Sequence, residues 1–309
     1  MANNVVTVTL NPTIDKNYFV DRVAPDHKLR SRNPTSDPGG GGINVSKGIK
    51  ELGGQSTAFF VSGGRTGKYL EDLLTTAGID FRAFANEEET RESITITEHA
   101  SNKQYRIVTE GPTVSIKVVD EILDACKKLR PAFLVASGSL PKGLPTDTYA
   151  RFASLAKSMD CRFVLDTSGD ALNAAADVGV FFMKPNLREL SKLAGVEELE
   201  LDHVDQAARE IINKGWCTAV VVSLGPSGAM LVTDKHFIHY RTPTVKMRST
   251  VGAGDSMVAG IVWGLQSGFP NEDVVAWGVA CGTAATMNEG TRLFKKADAE
   301  KLFKWVKSH

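Results

Sequence analysis

The 309-residue chain holds only four cysteines, Cys126, Cys161, Cys217 and Cys281, and no two of them form a C-x-x-C pair. Spacing this wide argues against a zinc site or a disulfide framework and points to reduced thiols in a cytosol. Neither sign of charge is in excess, because 36 Lys and Arg balance 36 Asp and Glu. A protein that coats a polyanion needs a basic surplus, so nucleic acid is not an expected partner. The same balance excludes a disordered acidic chain. No apolar run approaches the roughly 18 residues of a membrane helix; the stretch Met257–Leu265 is interrupted by Gly260 and Gly264. The opening MANNVVTVTLNP has no basic segment ahead of an apolar one, so no secretory leader is read. A cytoplasmic protein without a membrane partner is expected. Two nucleotide signatures are also missing. After Gly39–Gly42 the sixth position is Asn44, with no acidic ribose-binding residue in frame, which disfavours a dinucleotide fold. Gly67-Lys68 is followed by Tyr69, and Ser62 stands where a P-loop needs glycine.

What remains is a globular composition, 42% hydrophobic and 23% charged. Short continuous apolar runs recur at Val5–Leu10, Thr57–Val61, Phe133–Ala136, Arg162–Leu165, Val180–Met183 and Ala219–Leu224. Continuous rather than alternating strands suit a parallel sheet covered on both faces. Helical spacing of apolar residues fills Val118–Leu129, Thr146–Ser158 and Val204–Lys214 between them. The alternation predicts an α/β layered fold with a mostly parallel central sheet. Two segments break the rhythm. Residues 13–37 are polar and extended, and residues 90–108 alternate like a half-exposed antiparallel hairpin turning at Ser101-Asn102. We expect one domain over residues 1–309 with a small β-sheet lid from segments 13–37 and 84–110. The lid would cover a cleft or pair with another copy of itself.

Five clusters carry chemistry. Ser249-Thr250-Val251-Gly252-Ala253-Gly254-Asp255-Ser256 precedes a helical pattern, so its amides and the helix dipole can form an anion site. Asp255 there is a catalytic base or a plain helix cap; a helix N-terminus should lower its pKa. Gly39–Gly42 lets a ligand touch backbone, and Asn44 can hydrogen-bond sugar hydroxyls; a flexible loop is the other reading. Lys184, Asn186 and Glu189 follow an apolar strand and suit nucleotide phosphates and hydrated Mg²⁺, or are an ordinary strand-to-helix turn. Ser223-Leu224-Gly225-Pro226-Ser227-Gly228 makes a tight turn roomy enough for a flat ligand edge. Lys28, Arg30, Arg91 and Arg106 are lid cations that suit a phosphate dianion, or solvated charges.

NPTID (11–15), GGGGINV (39–45), SGSLP (137–141), KPN--EL (184–190), SLGP-GA (223–229) and STVGAGDS (249–256) occur in this order over nearly the whole chain. Together they resemble the PfkB carbohydrate kinases, whose fold is the ribokinase-like three-layer α/β/α arrangement. The all-glycine Gly40-Gly41-Gly42, where many members carry Gly-Lys-Gly, and Lys28-Leu29-Arg30 resemble the 6-phosphofructokinase branch. The resemblance implies ATP-dependent phosphorylation of the C1 hydroxyl of fructose 6-phosphate, a step of glycolysis. Kinases for tagatose 6-phosphate or fructose 1-phosphate are alternatives within the family, and a non-catalytic sugar-phosphate sensor is a distant one. It makes Asp255 the base, with Gly252, Ala253 and Gly254 as anion hole and Lys28 near the transferring group. Asp15, Lys28, Arg30, Gly40, Gly41, Asn44, Arg91 and Ser139 would hold the sugar phosphate. Lys184, Asn186, Ser223, Gly225, Gly228, Val279 and Thr283 would hold ATP. Glu189 would act on Mg²⁺ through water, while Ser249, Val251, Ala285, Asn288, Gly290 and Arg292 resemble a K⁺ loop. A homodimer through the lid is expected.

Overall fold

Short runs of β-branched and aromatic residues, separated by amphipathic ones, set the order of elements. In the computed structural model, which describes residues 4–101 and 103–309, the chain runs β1 (Val5–Thr9), β2 (Thr13–Val20), β3 (Arg32–Gly39), α1 (Gly41–Glu51), β4 (Thr57–Gly63), α2 (Gly64–Thr76), β5 (Asp80–Asn86), β6 (Arg91–Glu98), β7 (Lys103–Val108) and α3 (Ile116–Leu129). It continues through β8 (Phe133–Ser137), α4 (Thr148–Ser158), β9 (Arg162–Asp166), α5 (Asp170–Val178), β10 (Val180–Met183), α6 (Leu187–Ala194), α7 (Val204–Asn213) and β11 (Cys217–Ser223). The last elements are β12 (Ala229–Thr233), β13 (Phe237–Tyr240), α8 (Ala253–Gln266), α9 (Asn271–Thr286) and α10 (Lys296–Ser308). Residues 1–3, where the sequence shows no leader pattern, and Asn102, half of the expected turn, lie outside the described residues.

The main sheet has the order β13-β12-β11-β10-β9-β8-β1-β4-β5. Its strands from β11 to β5 are parallel, and β12 and β13 close one edge as antiparallel strands that the periodicity does not foresee. Alternation inside the buried strands sends side chains to two cores. Val6, Val8 and Leu10 join the layer built with α3 to α7, whereas Val5 joins the layer built with α1, α8, α9 and α10. Helices on both faces explain why these strands read as unbroken apolar runs. Polar atoms on β1 fix α1 in place: Thr7 Oγ1 lies 2.8 Å from Ser46 Oγ, and Thr9 Oγ1 accepts from the Ile43 amide at 2.9 Å. The segment Gly64–Tyr69 that lacks P-loop chemistry is the start of α2.

A second sheet, ordered β3-β2-β6-β7, stands apart as a flap. β6 and β7 form the antiparallel hairpin expected for residues 90–108, and β2 pairs with β6 in parallel. Residues 84–86 are the end of β5 in the main sheet, so the second flap segment starts at Arg91 rather than residue 84. On β6 the polarity is inverted. Ser93, Thr95 and Thr97 are buried while Ile94 and Ile96 stay half-buried.

Candidate active site

The chain leaves β1 toward β4 and β5 on one side and later continues through β8 to β11 on the other, so direction reverses between β1 and β8. Ligands in open parallel sheets bind beyond the carboxyl ends of strands at such a reversal. Asn11 follows β1 and Ser139 follows β8; the Asn11 amide donates to Ser139 Oγ at 3.2 Å across this point. A cleft of ≈ 220 Å³ opens here, lined by Ser137, Gly138, Ser139, Asp166, Thr167, Ser168, Glu189 and Asp255. A larger groove, ≈ 1370 Å³, runs along the opposite edge of the strands past Arg130 and Arg162. None of these acids lines it, so volume alone does not locate the chemistry.

Asp255 is in the first turn of α8, whose preceding residue Gly252 has φ of 73°. That left-handed conformation is open to glycine and strained for others, and the Ala253 amide of this turn donates to the Thr250 carbonyl at 3.4 Å. The Asp255 carboxylate accepts from Asn44 Nδ2 at 2.9 Å and from Ser137 Oγ at 3.4 Å. Burial, reinforced by the Asp166 carboxylate, raises its pKa to about 6 despite Asn44, Lys184 and Ser137. The lowered value expected from the helix dipole is therefore overturned: desolvation exceeds the dipole's pull. Gly41 is glycine because a Cβ there would collide with Ser137. The close approach of α1 to the end of β8 is what brings Asn44 and Ser137 to the same carboxylate.

On one side of Asp255 lie the residues of β10 and β11. Lys184 Nζ is 3.2 Å from Asp166 Oδ1. Burial works against its ammonium, but Asp166, with Glu189 and Asp255 nearby, outweighs burial and raises its pKa. Asn186 and Ser223 are bridged across adjacent strand ends. Asn186 and Glu189 form a reciprocal helix cap: Asn186 Oδ1 accepts from the Glu189 amide and Glu189 Oε2 from the Asn186 amide, both at 2.9 Å. Gly225 and Gly228 belong to one tight turn, in which the Gly228 amide bonds the Gly225 carbonyl. Val279 is fully buried in the α8–α9 core and offers no surface to a ligand, while the Thr283 hydroxyl donates to its carbonyl. Gly282 does approach the anion turn; a Cβ there would sit 3.1 Å from the Ala253 carbonyl.

On the other side is the flap root. Asp15 faces Asp37 across β2 and β3 and lies against Gly39, beside Gly40. Burial raises its pKa to about 6, opposed by Lys47, Arg91 and Arg106. Arg91 donates to the carbonyls of Thr109 and Asn11, and its Nε and the Asn11 Oδ1 are buried without a partner. Orphaned groups of both polarities fit a ligand carrying hydroxyls and an anion. Lys28 and Arg30 are not gathered here. They sit in the exposed connection beyond β2, whose length from Thr13 to Val20 is about 23 Å.

The loop resembling a K⁺ site is assembled. Ser249 Oγ donates to the Gly290 carbonyl at 2.8 Å, and the Ser249 amide donates to Thr286. Asn288 bonds Ala285, while the carbonyls of Ser249, Val251 and Asn288 accept no hydrogen bond among the described residues. Free carbonyls in one loop fit a monovalent cation. Arg292 lines a neighbouring cavity beside the flap instead. No three metal-type side chains converge among the described residues. Asp166 and Glu189, two carboxylates lining the cleft, have the chemistry to take a hydrated Mg²⁺. Asp166, Ser137, Lys47 and Asn11 are site residues that sequence reasoning did not single out.

Residues 1–298 match the model of the pfkB family carbohydrate kinases. The chain is 42% identical over 303 residues to the ATP-dependent 6-phosphofructokinase isozyme 2 of Mycobacterium tuberculosis, covering 97% of this chain and 88% of that protein. It superposes on phosphofructokinase-2 from Escherichia coli in complex with potassium with TM-score 0.94 and 38% identity, over 98% of this chain and 99% of that one. The complex of the same protein with fructose-6-phosphate gives TM-score 0.93 and 37% identity at the same coverage. The chain belongs to the pfkB family of carbohydrate kinases.

Proposed function

We propose that this chain transfers the γ-phosphoryl group of ATP to the C1 hydroxyl of D-fructose 6-phosphate, giving fructose 1,6-bisphosphate and ADP as a step of glycolysis. The observation that carries the reading is Asp255, a buried carboxylate with a pKa of about 6, set between the flap root and the β10–β11 turns at the start of α8. The hydroxyl oxygen attacks the γ-phosphorus in line as the bond to the β-phosphate oxygen breaks, and Asp255 takes the hydroxyl proton. A base of this strength is ionised at neutral pH and stronger than an ordinary carboxylate. The backbone amides of Gly252, Ala253 and Gly254 face the charge that gathers on the transferring group. Asp15, Gly40, Gly41, Asn44 and Ser139 hold the sugar, and Arg91 and Arg106 its phosphate. Lys184, Asn186, Ser223, Gly225 and Gly228 hold the nucleotide. Mg²⁺ supplies charge neutralisation between phosphates when bound, and K⁺ does the same from the Ser249–Gly290 loop.

The working unit in this reading is a cytosolic homodimer joined through its flaps. The half-exposed apolar face of β6 and β7, including Ile94, Ile96, Tyr105 and Ile107, supports it. Lys28 and Arg30, too far along the hairpin for their own cleft, then serve the partner's. The decisive experiment compares kcat/KM for fructose 6-phosphate, tagatose 6-phosphate, fructose 1-phosphate and ribose with MgATP, in potassium and in sodium. Fructose 6-phosphate should give the highest value. A higher value for any other substrate would end the substrate assignment.

A further inference from the structure

Lys47 on α1 lies at the sugar end of the cleft and is absent from the chemistry above. Its Nζ donates to the Pro38 carbonyl at 2.9 Å and to Asn44 Oδ1 at 3.4 Å. The first bond ties the end of β3, and with it the glycine run, to the first helix. The second concerns the amide whose opposite end, Nδ2, donates to Asp255. A side-chain amide has two faces of opposite polarity. With Asn44 flipped, its oxygen would meet the Asp255 carboxylate and its NH₂ would meet the Lys47 ammonium, and both contacts would repel. An ammonium at this place therefore permits one orientation of Asn44.

The same ammonium faces three carboxylates, Asp37, Asp15 and Asp255. Burial lowers its pKa, and these acids oppose that effect. Asp37 is bonded elsewhere, accepting from Asn17, Thr35 and Thr291. Asp15 is faced by Lys47 from α1, Arg91 from β6 and Arg106 from β7, with Asp37 as its like-charged neighbour on β3. Asp255 is faced by Asp166 and Lys184 from the ends of β9 and β10.

We infer that Lys47 is a positioning residue for phosphoryl transfer: it sets the Asn44 amide so that it donates to Asp255, and, bound to Pro38 beside the Gly39 against which Asp15 lies, it places a positive charge at the sugar end of the cleft. The inference rests on the kinase reading. Lys47 touches neither reacting atom, and it acts through Asn44 and Asp15.

The test uses Lys47→Met and Lys47→Gln in the full chain, each checked for folding by thermal denaturation. Glutamine keeps a donor toward Pro38 and Asn44 but carries no charge. In Lys47→Met, kcat with fructose 6-phosphate should fall by roughly 10- to 100-fold, the scale of a small misplacement at the reacting centre. The acid limb of kcat/KM should move to higher pH, because a cation that lowers the Asp15 pKa has gone. Affinity for a non-hydrolysable ATP analogue, measured by calorimetry, should not change. Lys47→Gln should keep most of kcat yet show the same displaced limb. Carboxyl ¹³C titration of Asp15, assigned with Asp15→Asn, reads the charge effect without turnover. A wild type inactive on every sugar phosphate would sink the kinase reading and leave this titration valid. An Asp15 titration unmoved in Lys47→Met, or a Lys47→Gln enzyme as slow as Lys47→Met, overturns the inference.

Discussion

At the scale of the residue, the proposed chemistry depends on burial raising the pKa of one carboxylate, Asp255. Asp255→Asn keeps an acceptor for the Asn44 amide, so the fold should survive while the base is lost. Steady-state assays should show kcat lower by about 10²–10⁴, the contribution of a general base. Wild-type turnover in that variant would remove Asp255 from the mechanism. The pH profile follows from the same group. In the proposed mechanism Asp255 works only when ionised and Asp15 binds best when ionised, and burial raises both pKa values to about 6. kcat/KM should therefore be flat at neutral pH and fall as pH drops through about 6; a profile flat down to the ordinary carboxylate range would contradict the burial effect. Asp255, Asn44 and Lys184 were legible because each sits in a short motif whose local geometry the sequence dictates. The direction of the Asp255 shift was not, since it is set by what covers the helix start. Asp166 was missed although it carried a signal: an acid closing an apolar strand falls at the carboxyl edge of a parallel sheet. Lys47 carried none, because a lysine inside an amphipathic helix reads as a solvated charge.

At the scale of the element, β1, β4 and β8 to β11 could be read from continuous apolar runs because both faces are covered, whereas β5, an edge strand of half-exposed residues, was not. β12 and β13 escaped because an edge pair is specified by its turn and partner rather than by its own periodicity. Nor does the sequence reveal how closely α8 and α9 cross. A Cβ on Gly260 would stand 2.8 Å from the Trp277 carbonyl, and one on Gly278 would stand 2.6 Å from the Ile261 side chain. The glycines that break the apolar run therefore let two helices meet backbone to backbone. Gly260→Val should separate them and destabilise the protein by roughly 1–3 kcal/mol, as overpacking does; urea denaturation reads this directly. Since α8 begins at the anion turn and Gly282 of α9 touches Ala253, kcat should fall as well. A variant with an unshifted urea midpoint would mean that the crossing is looser than the geometry requires.

At the scale of the whole molecule, the flap is built inside out for a lone chain. On β6 and β7 the serine and threonines of β6 face inward and Ile94, Ile96 and Ile107 face outward, which makes sense when the inner face meets a polar ligand and the outer face meets another protein. Its tip carries Lys28 and Arg30 on the exposed connection beyond β2, a strand about 23 Å long. Mixed dimers separate action within a chain from action between chains. One partner carries Asp255→Asn with an intact tip; the other carries Lys28→Ala and Arg30→Ala with an intact base. Each homodimer alone should be impaired. If the tips act across the interface, the mixed dimer holds one site with both an intact base and intact tip cations, so co-refolded material should regain activity. If the tips act within their own chain, no site in the mixture is complete, and activity should stay at the sum of the separate variants.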